Sequence, residues 1–348
     1  MGLEIAAICL GALMASALLT GMLRQITLSR GPLDVPNARS SHSTATPRGG
    51  GVSMVVSASA AWSVLAMLGM VKVSLLVALV GGGTVVAAVG LLDDRQSVPA
   101  GIRLAVHLGA AVWALLWIGA PSSLRIGEHL LQLGWFGGLL TVLGIVWTVN
   151  LFNFMDGIDG LAASEAAFIG CSGAVLSWLS TRSPDVAAGL TLAAVCIGFL
   201  RWNWPPAKIF MGDVGSGYLG YVVGVLIVAD ARINPTSPWI WVILGGGFFA
   251  DSTVTLLRRA FRAERLHEAH RSHAYQWLAR RWDSHRRVTV AVAMLNIACL
   301  LPCALLAMLY PGRAVWLAAG TVAALVSAAL AAGAGRREAT NCGPPPER

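Results

Sequence analysis

Charge is scarce in this chain. Asp, Glu, Lys and Arg make up 12% of its 348 residues, while 56% are hydrophobic and the mean hydropathy is +0.69. A soluble domain is about a quarter charged, so an ordinary water-exposed surface is excluded. Cysteine chemistry is missing too. The six cysteines, Cys9, Cys171, Cys196, Cys299, Cys303 and Cys342, include no CxxC pair and mostly sit in apolar runs. That excludes a thiolate zinc site and a disulfide framework, and leaves them as packing residues. The alternating pattern of a membrane β-barrel is absent, as is any internal repeat. The apolar run from Leu3 to Leu23 is too long for a signal peptide and has only Glu4 as an early charge, so it reads as a span.

What the chain does have is long apolar runs of 17 to 22 residues, from end to end. Each can cross a hydrocarbon core about 30 Å thick as a helix, and lipid leaves helices to satisfy their own backbone groups. The expected fold is all-α: a polytopic integral membrane protein. Eleven spans are placed at about 3–23, 52–71, 73–92, 104–120, 130–149, 161–179, 186–202, 214–229, 239–257, 288–309 and 314–332, with ten as the alternative count. They form one multi-span domain, 1–335, followed by a Pro- and Arg-containing tail, 336–348, expected to be disordered.

Lys and Arg set the orientation. With the N-terminus outside, twenty of them fall in loops and tail on the inner side and five on the outer side. The expected topology is N-out, C-in. The same distribution accounts for the net charge of +8 without nucleic acid. Five polar blocks then share the cytoplasmic face: DVPNARSSHSTATPRGGG (34–51), LLDDR (91–95), NLFNFMDGIDG (150–160), RWNWPPAKIFMGDVGSG (201–217) and RRAFRAERLHEAHRSHAYQ (258–276). Convergence on one face points to a single site built from helix ends.

The blocks carry distinct chemistry. Asp93 and Asp94 are adjacent carboxylates about 100° apart around a helix. One could face a metal-phosphate centre while the other holds a basic group; a solvated loop paired with Arg95 is the plain reading. Asn150, Asn153, Asp156 and Asp159 recur every third residue, so they can share one face of a helix end. Four unpaired polar groups there would cost several kcal/mol, so partners or a ligand are expected. Asp213 lies between glycines just before a span, where free helix N–H groups bind phosphate and the carboxylate can hold Mg²⁺. His267, His270 and His273, with Arg271, read as donors to diphosphate oxygens or as a basic amphipathic helix on anionic headgroups. Arg48, before three glycines, is a further anion donor. Asp251 is an intramembrane acid, expected to act functionally or to pair with an arginine.

In this order, DVPNARSSH…TPRGGG, GLLDDR, NLFNFMDGIDG, NWPPAKIFMGDVGSG and HRSHAYQ resemble the polyprenyl-phosphate N-acetylhexosamine-1-phosphate transferases (MraY/WecA-like). HRSHAYQ, and RSSH near His42, look most like the WbpL-type initiators of O-antigen synthesis. The resemblance covers residues 30 to 280. It implies transfer of N-acetylhexosamine-1-phosphate from a UDP-sugar to undecaprenyl phosphate, giving undecaprenyl-diphospho-sugar and UMP, with Mg²⁺ (or Mn²⁺). It also implies an active site on the cytoplasmic face of a bacterial inner membrane, and a homodimer. By motif, Asp213 is similar to the family's metal ligand and Asp93 and Asp94 to its catalytic pair. Asn150, Asn153, Asp156 and Asp159 match its nucleotide-pocket block, and His270, Arg271 and His273 its last cytoplasmic loop. That loop departs from the multi-His form of the peptidoglycan-precursor translocase, which argues against a muramyl-pentapeptide donor. A transporter, the competing class for so many spans, would show broken helices, a repeat and midplane charges.

Overall fold

The computed structural model describes residues 2–30, 33–34, 45–183, 185–264 and 270–337. His42 and the rest of 35–44, His267 and tail residues 338–348 lie outside the described residues.

The apolar runs fold as helices α1 Gly2–Arg30, α2 Gly51–Met67, α3 Val73–Asp93, α4 Ala100–Ile118, α5 Phe136–Met155, α6 Leu161–Thr181, α7 Val186–Asn203 and α8 Asp213–Ala231. They continue as α9 Ser237–Leu244, α10 Gly246–Ala260, α11 Ala274–Trp282, α12 His285–Leu309 and α13 Ala314–Ala332. Among the described residues, nine helices are long and apolar enough to cross a membrane, or ten if α9 and α10 count as one span. The second expected span, 52–71, is α2, a shorter apolar helix. The ninth expected span is broken: α9 and α10 meet at 76°. The run Gly245–Gly246–Gly247 sits at the break, where helix propensity is lowest.

Two small antiparallel pairs accompany the helices. Strand β1 (Leu33–Asp34) pairs with β2 (Thr46–Pro47), and β3 (Ser123–Ile126) with β4 (His129–Gln132) in the register Ser123↔Gln132. The second pair joins the end of α4 to the start of α5, and so lies at the end of the bundle opposite the polar blocks.

Helix α8 is the hub, the most enclosed of the spanning helices, with Tyr218 and Tyr221 fully buried. It can be surrounded because its glycines leave room for neighbouring backbones: a Cβ on Gly220 would meet the Thr148 backbone of α5. Helix α3 crosses the start of α8 equally closely, since a Cβ on Gly90 would overlap the Asp213 backbone. This crossing brings the end of α3, with Asp93 and Asp94, against the start of α8. The described cysteines, Cys9, Cys171, Cys196, Cys299 and Cys303, are unpaired.

Candidate active site

The α3–α8 crossing builds the centre of the site. Asp94 Oδ1 accepts the N–H of Asp213 at 2.9 Å, and Oδ2 that of Val214 at 3.2 Å. The carboxylate thus caps α8 from another helix, favoured by the partial positive charge of a helix N-terminus. Gly212 makes this approach possible. Its φ is 76°, and a Cβ there would collide with the Asp94 carboxylate. This corrects the sequence reading of a free phosphate-binding N-terminus, because Asp94 already occupies the first two N–H groups, while those of Gly215 and Ser216 bond to Gly212 O.

Arg48 ties the first block to this centre, with Nε 2.8 Å from Asp94 Oδ1 and Nη2 2.9 Å from Asp213 Oδ1. The chain at Gly50 and Gly51 is fixed to Phe210 O and Met211 O by backbone bonds, so the arginine is aimed by its own loop. Asp93 turns the other way. Its Oδ1 accepts from Val98 N at 2.7 Å, and its Oδ2 from Arg103 Nη1 at 2.6 Å. Arg103 also lies 3.8 Å from Asp213 Oδ2. The adjacent acids do serve different partners, and both are engaged. Arg103 escaped the sequence reading; its one signal was a basic residue ten positions beyond Asp93, which is not distinctive.

The 150–160 block does not share one helical face as its spacing suggested. Helix α5 ends at Met155, and Gly160 adopts φ 72°, so Asp156 and Asp159 leave the helix in a turn. Asn150 donates to Val146 O of its own helix. Asn153 Nδ2 reaches Ser216 Oγ of α8 at 3.2 Å. Asp159 Oδ2 accepts from Ala207 N at 3.0 Å and lies 3.3 Å from His285 Nδ1. Asn203 bridges Gly160 N and Ile209 O. Asp159 and Asn203 thus pin the NWPPAK loop against this turn. No sequence signal pairs His285 with Asp159, 126 residues away.

The last block docks through Tyr275, whose hydroxyl donates to Phe154 O at 2.9 Å and packs on Gly157. Among the described residues no arginine pairs with Asp251. It caps α11 by accepting from Ala274 N and Tyr275 N, and lies 3.4 Å from His273 Nδ1. His273 ends the loop as the N-cap, with a reciprocal Gln276 contact. So His270 and His273 lie in a loop that leads into α11 and not along an amphipathic helix. The His270 and His273 rings stack with centroids 4.9 Å apart, and Ser272 Oγ is 2.9 Å from His270 Nδ1. Burial first, then the His273 and Arg259 charges, push the His270 pKa down to about 3, so the free imidazole is neutral near pH 7. The carbonyl of Arg271 accepts from Arg280.

Asp156 joins the two halves electrostatically. Burial raises its pKa well above the carboxylate range; the Asp213 charge adds to the rise, Arg48 opposes it, and Asp94 and Asp159 add again. The charge of Asp156 in turn acts on Tyr275. Asp213 and Asp156 offer hard oxygens only, and a divalent cation held by them would offset the charge repulsion that adds to the effect of burial on Asp156. Among the described residues no group of three or more His, Cys, Asp or Glu forms a cage. Mg²⁺ suits such a donor set, because it takes one or two carboxylates and completes its shell with substrate phosphates and water.

The sequence matches the profile described as glycosyl transferase family 4 over residues 76–230. It is 32% identical to a phospho-N-acetylmuramoyl-pentapeptide-transferase of Moorella thermoacetica, over 64% of this chain and 74% of that protein. The chain belongs to glycosyl transferase family 4. This family 4 chain is also 29% identical to a probable undecaprenyl-phosphate N-acetylglucosaminyl 1-phosphate transferase of Bacillus subtilis, over 82% of this chain and 80% of that protein. A decaprenyl-phosphate N-acetylglucosaminephosphotransferase of Mycobacterium tuberculosis is 28% identical, over 83% of this chain and 79% of its own length. The apolar helices and these relatives together make the protein an integral membrane protein, and the matched segment contains both Asp94 and Asp213.

Proposed function

We propose that the protein transfers N-acetylhexosamine-1-phosphate from a UDP-sugar to undecaprenyl phosphate, releasing UMP, at the cytoplasmic face of a bacterial inner membrane. The observation that carries this reading is the contact between three distant blocks, Arg48, Asp94 and Asp213, at the mouth of the buried helix α8. The names of the relatives support the reaction class.

The acceptor is a phosphate monoester whose second pKa is about 6, so it is mostly dianionic at neutral pH and needs no strong base. An acceptor oxygen attacks the β-phosphorus of the donor. The bond from that phosphorus to the bridging oxygen breaks, and UMP leaves with the oxygen. Such transfer depends mostly on positioning and charge neutralisation. Asp213 and Asp156 would hold Mg²⁺, which when bound neutralises diphosphate charge. Asp94 and Asp93 organise the site by fixing α8, Arg48 and Arg103. Arg48 and the loop of His270, Arg271 and His273 face the donor, with Asn150, Asn153 and Asp159 framing the nucleotide pocket.

We assign the product to O-antigen or related envelope polysaccharide synthesis, with a 6-deoxy N-acetylhexosamine such as FucNAc or QuiNAc as first donor and GlcNAc as second. The test is a panel of radiolabelled UDP-sugars with undecaprenyl phosphate and purified protein. Label in a lipid-linked diphospho-sugar, dependent on Mg²⁺, is the expected result. Label transferred from none of them would overturn the assignment, and transfer only from UDP-muramyl-pentapeptide would reassign the donor.

A further inference from the structure

Away from the carboxylate cluster, α6, α7 and α12 enclose a cavity of about 250 Å³. Its apolar wall includes Phe168, Val292, Ile197 and Ile297, and the last two are 51% and 62% exposed on the outer surface of the helices. The cavity therefore adjoins the face that meets lipid. It is also lined by Ser164, Glu165 and Asn296. Glu165 and Asn296 are 1% and 2% exposed, and Asn296 Nδ2 donates to Glu165 Oε2 at 2.6 Å. The remaining oxygens, Glu165 Oε1, Asn296 Oδ1 and Ser164 Oγ, are buried without a hydrogen-bond partner. Asn296 opens a π-helical turn, Asn296–Leu300, inside α12, a distortion that often marks a functional position.

Buried oxygens without partners are costly, and a buried carboxylate without a cation more so. No basic side chain pairs with Glu165 among the described residues. We propose that this cavity binds a lipid with a primary ammonium headgroup. An ammonium has three N–H donors, which match the three unpartnered oxygens, and its charge complements the carboxyl, while the apolar wall takes the start of a hydrocarbon chain. A polyprenyl phosphate fits poorly, because its tail has no donor and its phosphate would meet a carboxyl. The site lies on the second turn of α6, about 6 Å along the axis from Leu161, within reach of a headgroup that enters from the interface.

The test is a headgroup series. The purified protein is incubated with phosphatidylethanolamine, its N-methyl and N,N-dimethyl derivatives, and phosphatidylcholine, all with the same acyl chains, and bound lipid is counted by native mass spectrometry. Retention should fall stepwise with methylation, by about tenfold between the ends of the series, the scale of a lost charged hydrogen bond. Glu165→Gln and the cavity-filling Ala293→Phe should each abolish the preference. Equal retention across the series overturns the proposal, since water or unselective lipid then fills the cavity. A preference that survives both variants overturns it as well, by placing the lipid elsewhere. Should one variant fail to fold, the other still locates the preference, equal retention in the wild type overturns the proposal without either, and no part of the series depends on transferase activity.

Discussion

Asp94 shows how one side chain can matter without touching substrate. Its two oxygens cap α8 and its charge holds Arg48, so Asp94→Ala should lower stability by about 1–2 kcal/mol, the usual cost of a lost cap. Thermal unfolding in detergent would measure this, and an unchanged midpoint would refute the capping role. Asp213 is different, because it carries the hard oxygens of the proposed metal site. Asp213→Asn should keep the fold and cut transfer by about 10²–10³, the scale of losing one electrostatic stabiliser; a well-folded variant with wild-type rate would sink the assignment. His270 carries the acid signature. Its folded pKa of about 3 lies below the ordinary 6.5, so the unfolded chain binds the proton first. The stability it contributes is complete above about pH 6.5 and is lost as pH falls toward about 3. Between about pH 7 and about pH 5 the melting temperature should drop less in His270→Asn than in the wild type. These acids and histidines were legible in sequence because charge is so rare here. Their partners were not, since Asp94 meets Asp213 across 119 residues.

At the scale of elements, the hydrophobic runs announced the helices, and the glycines of α8 announced nothing until their neighbours were known. The broken span, α9 and α10, reads in sequence as one apolar run because hydropathy is blind to direction. The segment after α13 is a further case. Beyond α13, Ala334 is buried, Arg258 donates to Ala334 O, Arg262 donates to Gly335 O, and Arg337, at the start of the expected tail, lies 3.4 Å from Glu264. Gly335 N in turn donates to Ser272 O at 2.7 Å, next to His270. Residues 334–337 thus strap the described part of the histidine loop, at Ser272, in place. Arg258→Ala should raise the donor KM by about tenfold, the effect of one or two charged hydrogen bonds, while kcat and the acceptor KM change little. A variant that loses kcat and both KM values together would mark the strap as merely structural.

For the molecule as a whole, orientation is the prediction that the charge pattern carries. A reporter active only in the cytoplasm should function when fused at the C-terminus and fail in the β3–β4 loop; the reverse would move the site to the other side of the membrane. The sequence by itself determined that this chain lives in lipid as helices, and which few polar blocks it could not place there for packing alone. It did so because an apolar solvent leaves each run one way to satisfy its backbone, and makes every retained charge conspicuous. Only the tertiary structure decided that Asp94 closes the helix end expected to hold phosphate, that Arg103 and His285 join the site, and that the acids leave α5 in a turn. Those outcomes rest on contacts between residues far apart in the chain, set by how closely glycine-lined helices approach, and no local pattern encodes that distance.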